Sequence, residues 1–79
     1  MNLEDADRTL RELVAAIPVK DRVFMLDVLT AESGARSKTI GGLHAGARAP
    51  ATTELLIEAE ADPVVRAMLV GLIREATKL

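Results

Sequence analysis

Apolar side chains in this chain recur at intervals of three and four residues, and every such run is stopped by proline, glycine or a capping polar residue. Leu3, Ala6, Leu10, Leu13, Val14 and Ile17 fall on one face of a helix over about 3–16. Asn2 is placed to cap that helix, with Asp5 complementing the dipole in its first turn. Pro18 ends it and opens a second helix, because proline lacks the amide that a helix interior needs but suits a first turn. There Val19, Val23, Leu26 and Leu29 form the expected buried stripe, widened by Phe24, Met25 and Val28. Gly34 is its expected stop, since glycine takes the left-handed cap conformation without strain.

Ser37 then reads as the cap of a short third helix, about 38–45, with Ile40 and Leu43 apolar and Gly46 its terminator. A loop through Arg48 and Pro50 leads to Thr52 as the next cap, before a fourth helix that buries Leu55, Leu56, Ala59 and, at its edge, Ile57. Asp62-Pro63 is the strongest helix start in the chain, an acid at the cap followed by proline in the first turn. The last helix, about 63–78, presents Val65, Met68, Leu69 and Leu72 to the core. It leaves Val70, Ile73 and Leu79 for contact with a second copy or another partner. The fold expected is all-α, one compact five-helix domain spanning 1–79.

Composition agrees. Hydrophobic residues make up 49% of the 79 and aromatic residues 1%, so the core is aliphatic, which disfavours a sheet. A chain this short buries only about 60% of its unfolded surface, and its stability is correspondingly small. It has no cysteine and one histidine, which removes disulfides, thiolate chemistry, a histidine-based metal site and a nucleophile–histidine pair. No cofactor and no catalytic activity are expected. Glu54 and Glu58 share a helical face but read as a solvated surface. Gly41-Gly42 lacks the Lys-Ser/Thr that completes a phosphate-binding loop. The acidic start from Met1 to Asp7 is unlike a signal peptide, and no apolar run reaches the roughly 20 residues of a membrane span, so the cytoplasm is the expected location and no membrane partner is expected.

Charge is unevenly distributed. Between Glu32 and Glu54 there is no acid, while Arg36, Lys38, His44 and Arg48 lie in that interval, although the whole chain carries a formal charge of −2. A segment kept free of acids in an acidic chain suits an anionic partner. The same segment, about 19–46, is punctuated like a helix-turn-helix, in which a glycine reverses the chain, apolar residues pin the second helix to the first, and polar residues enter the major groove.

Leu29, Gly34, Ala35, Ile40 and Leu43 stand at the intervals of that arrangement. Leu43, Gly46, Arg48 and Pro50 look like an "L-x-x-G-x-R-x-P" exit, and Leu55, Leu56 and Ala59 like the "L-L-x-x-A" helix after it. Over roughly 26–62 the chain thus resembles the lambda-repressor/Cro-like (XRE) helix-turn-helix family. The resemblance implies a transcriptional regulator that binds double-stranded DNA, often as a homodimer on two half-sites. It departs from the family at Leu26, where a phosphate-contacting polar residue is usual, at Thr30, where a small alanine is usual, and at Gly41 and Gly42, where long polar side chains read bases.

On this reading Arg36, Ser37 and Lys38 contact DNA at the head of the third helix. Gly41 and Gly42 permit close approach of its backbone, or else mark a loop, and His44 and Arg48 lie against the flanking phosphates. The alternative expectation is a protein-interaction module, such as an antitoxin or an adaptor, that keeps only the frame of a helix-turn-helix.

Overall fold

The computed structural model describes residues 2–43 and 48–78, which form five helices and, among those residues, no strand. They are α1 (Leu3–Ala16), α2 (Val19–Thr30), α3 (Ser33–Gly41), α4 (Pro50–Ala61) and α5 (Pro63–Thr77). The radius of gyration is 11.7 Å, against about 11.6 Å for a packed single domain of this length. The all-helical, compact class expected from the spacing is the class observed.

Two helix starts follow the sequence closely. The Asn2 side chain accepts the Asp5 amide at 2.8 Å, and the Asp62 side chain accepts the Val64 amide at 2.9 Å with Pro63 in the first turn of α5. Each carboxylate or amide oxygen satisfies one of the orphan amides at a helix N-terminus.

The middle of the chain is divided differently from the expectation. α2 ends at Thr30, the turn consists of Ala31 and Glu32 in extended conformations, and α3 begins at Ser33. Two hydrogen bonds account for the early break. The Thr30 hydroxyl donates back to the Leu26 carbonyl at 2.8 Å at the end of α2, and the Arg36 guanidinium donates to the Ala31 carbonyl at 3.1 Å, fixing the turn from within α3. Gly34 is therefore in the first turn of α3 and is no left-handed cap. Ser37 is an interior residue rather than the cap, and Gly41 and Gly42 stand at the C-terminal end of the helix rather than in its middle. Gly46, the expected terminator, lies outside the described residues. An added Cβ at Gly34 meets nothing within 4 Å and the position carries no positive φ. Gly34→Ala is thus expected to stabilise the domain by about 0.5–1 kcal/mol, the helix-propensity difference, read as a higher urea midpoint; a lower midpoint would restore the left-handed cap.

α4 likewise starts earlier, at Pro50, with Ala49 as its cap residue and no side-chain cap. Thr52 is fully buried and caps nothing.

The core comprises Leu10, Val14 and Ile17 of α1 and the turn after it, Met25, Val28 and Leu29 of α2, Leu55, Leu56 and Ala59 of α4, and Leu69, Leu72 and Ile73 of α5. α5 packs on α1, α2 and α4, while α3 is held mainly by α2 and α4. Arg22 closes one end of the bundle, donating to the Ile17 carbonyl at 2.9 Å and the Ala76 carbonyl at 3.3 Å. The buried stripe of α2 is rotated from the expected one: Val19 and Val23 are exposed, and Asp21, Met25, Val28 and Leu29 point inward. Ile57 is exposed as well.

Candidate functional site

Arg36 is expected from sequence to read DNA, yet only 9% of it is exposed. Its Nε donates to Glu60 Oε2 at 2.6 Å, across to α4. The Ser37 hydroxyl donates to the other oxygen of the same carboxylate, also at 2.6 Å. Those two donors, the serine first and the arginine second, hold the Glu60 carboxyl below the ordinary carboxylate range. Arg36 thus binds α3 to α4 from a buried position, and Ser37, which stays exposed, ties the same carboxylate at the rim of that contact. The reason lies in the phase of the helix, which turns 36 and 40 to the same inner side once it starts at Ser33.

The outward side of α3 is built from Ser33, Gly34, Ala35, Ser37, Lys38, Thr39 and Gly41, all exposed, followed by exposed Gly42. Lys38 makes no ion pair among the described residues. Glu32, at the head of the helix, is exposed too. His44 lies outside the described residues.

Arg48 has also been drawn inward. Its guanidinium stacks over the Phe24 ring, 4.0 Å from the centroid, and lies 3.4 Å from Asp21 Oδ1. Asp21 is 2% exposed and is the residue that sequence reasoning passed over. Its Oδ2 accepts the Ala49 amide at 3.1 Å and the Thr52 hydroxyl at 2.9 Å. The Ala49 amide lowers the Asp21 carboxyl most, with Thr52 and Arg48 adding to it, and together they outweigh the opposing effect of burial. One acid of α2 therefore supplies the missing cap of α4 and anchors the segment leading into it. The available signal is its register: Asp21, Met25, Val28 and Leu29 fall at i, i+4, i+7 and i+8.

The expected contacts on α5 separate in the same way. Ile73 is completely buried, so it is core and no partner contact, because its face of the helix is closed by the packed bundle. Val70 is partly buried against that core, and Leu79 lies outside the described residues.

Open apolar surface occurs elsewhere. A groove of about 220 Å³ lies where α1 passes α4 and α5, lined by Ala6, Thr9, Leu10, Leu13, Glu58 and Val65. Leu13 is 37% exposed there. A second depression of about 260 Å³, between α1 and the end of α5, is lined by Arg11, Val14, Leu72, Glu75, Ala76 and Lys78, and the Arg11–Glu75 pair at 3.0 Å spans it. Among the described residues no three His, Cys, Asp or Glu side chains converge on a metal-sized site, and no helix is long and apolar enough to cross a membrane. Compared with known protein families, curated proteins and solved structures, the chain matches none of them.

Proposed function

We propose that this chain is a helical protein-interaction module whose working surface is the α1–α4–α5 face. The observation that carries the reading is the open apolar groove under Leu13 and Val65. A concave, mostly apolar slot between helices is a default place for a partner group to bind. The electrostatics point the same way, since Arg36 and Arg48, two of the cations expected to meet phosphate, are hydrogen-bonded to Glu60 and Asp21. Of the basic residues in the acid-free stretch, Lys38 remains as the described cation on the outward face of α3.

A second reading, a DNA-binding regulator acting as a dimer, is favoured by that same face, where Lys38 stands among Ser33, Gly34, Thr39 and Gly41 with no acid from Ser33 to Gly41. Its magnitude is small. Each phosphate neutralised changes the slope of log K against log salt by about 0.9, so Lys38 by itself supplies little affinity and a weak salt dependence.

One experiment with two arms decides between these readings. The protein is titrated onto labelled duplex DNA of mixed sequence at about 50 mM salt, and in parallel is immobilised and exposed to cell lysate. The expected result is no saturable DNA binding, together with stoichiometric retention of a protein that Leu13→Lys releases and Lys38→Ala does not. Duplex binding that falls with salt and disappears in Lys38→Ala transfers the assignment to the regulator.

A further inference from the structure

We infer that the groove between α1, α4 and α5 receives one large apolar side chain from a cationic amphipathic helix of a partner protein. This deepens, and rests on, the interaction-module reading.

The size of the groove sets the kind of occupant. At about 220 Å³ it falls below the roughly 300–1,000 Å³ of typical small-molecule sites, but it accepts a single leucine-, isoleucine- or phenylalanine-sized anchor of the kind that dominates interfaces. Its walls are suited to that anchor. Leu10 is nearly buried and forms the floor, Leu13 offers an exposed aliphatic edge, Ala6 leaves room beside them, and Val65 closes the side from α5. These α1 residues repeat at spacings of three and four, so the groove runs along the helix and matches the i, i+3, i+4 anchors of a second helix laid beside it.

Charge selects the partner. Glu58 lines the groove, and Glu54 stands one turn earlier on the same edge of α4. Glu12 follows Thr9 by three residues along the facing edge of α1. All three are exposed and none is in an ion pair among the described residues. On the outer side of α1, Arg8 is already paired with Asp5 at 2.7 Å. An apolar slot bordered by three uncompensated carboxylates attracts Lys and Arg flanking the anchor and repels an acidic helix of the same shape.

The test uses the full chain, uniformly labelled with nitrogen-15, and synthetic peptides that carry leucines at helical spacing. One peptide has lysines on both flanks and the other has glutamates at the same positions. The lysine peptide is expected to shift the amide resonances of Ala6, Thr9, Leu10, Leu13 and Val65, and the glutamate peptide to leave them in place. Raising the salt from about 50 to about 500 mM is expected to weaken lysine-peptide binding about tenfold, because the carboxylates lie at the surface where screening acts. Glu54→Lys combined with Glu58→Lys changes exposed positions only and is expected to weaken it at least as much, with helicity unchanged.

Equal binding of the two peptides, or shifts confined to other faces, overturns the inference. So does self-association of the chain through the groove, which would make a second copy the occupant. A partner retained from lysate despite Leu13→Lys also overturns it and moves the module's working surface to another face, whereas the absence of any retained protein removes the module reading altogether.

Discussion

Asp21→Ala is expected to lower the free energy of unfolding by about 3 kcal/mol, the cost of leaving the partners of a buried, hydrogen-bonded charge without it. A domain of this length holds about 4–12 kcal/mol in total, so one acid accounts for a large part of it. The substitution strands the Ala49 amide and the Thr52 hydroxyl, both now hydrogen-bonded to Oδ2, and removes the charge facing Arg48. Asp21→Asn keeps the shape and one acceptor oxygen and is expected to cost less, about 1–2 kcal/mol. Thr52→Val removes one donor and leaves the carboxylate its other partners, and is expected to cost about 1 kcal/mol.

Acid supplies an independent check on the same residue. The Asp21 carboxyl is held below its ordinary value in the folded chain, while in the unfolded chain it titrates near 3.9, give or take the usual scatter of about one unit. Its stabilisation is therefore fully present above the unfolded value and disappears as the pH falls through the folded one. The gap in stability between the natural chain and Asp21→Asn should be constant near neutrality and close below about pH 4. Glu60 is shifted in the same direction, so the variant keeps a shallower acid limb of its own. The chain has neither Trp nor Tyr, so urea unfolding is followed by circular dichroism. A difference that persists unchanged into acid would show that Asp21 acts through packing and not through its charge.

The anomaly of the acid-free stretch has a structural explanation that its own residues do not reveal. From Ser33 to Thr53 there is no acid, but Arg36 and Arg48 are matched by Glu60 and Asp21, which lie on α4 and α2 outside the stretch. A gap in sequence thus looks like a charged surface, while in space its two arginines are neutralised by neighbouring helices and Lys38 is left outward.

What could be read in advance was local. The five helices follow from apolar spacing, and the starts of α1 and α5 follow from Asn2 and from Asp62-Pro63, since a side-chain cap and the amide it serves lie within three residues. The turn between α2 and α3 has no such signature. Ala31 and Glu32 are ordinary residues in extended conformations, and the bond that fixes them comes from Arg36. The start of α4 is hidden for a similar reason, because what stands in for its cap is Asp21, 28 residues earlier than the Ala49 amide it accepts. An acid inside an apolar stripe is conventionally assigned to the surface, and its partner was a backbone amide, which every residue but proline possesses. The groove was equally out of reach, since Leu13 and Glu58 are brought together only by the path of α1 past α4.

Ile73 provides the sharpest contrast between what a stripe of apolar residues suggests and what packing decides. It is 0% exposed and shares the inner face of α5 with Leu69 and Leu72. Ile73→Ala is expected to destabilise the folded chain by about 3–4 kcal/mol, within the range for truncating a large aliphatic side chain in a closed core, where both transfer energy and the residual cavity contribute. Set against a total of about 4–12 kcal/mol, that loss brings the variant close to its folding threshold, so its urea transition should begin at much lower denaturant with the slope unchanged. Val64→Ala on the same helix, where the native side chain is 57% exposed, should stay within about 0.5 kcal/mol. The two substitutions also separate core from interface. An interface residue changes the mass measured by light scattering at micromolar concentration and leaves the stability of the isolated chain nearly untouched; a core residue does the reverse. For Ile73 the expected outcome is a large shift in the midpoint with no change in mass at temperatures where the variant remains folded. A shift worth less than about 1 kcal/mol, accompanied by a change in mass, would return Ile73 to the surface.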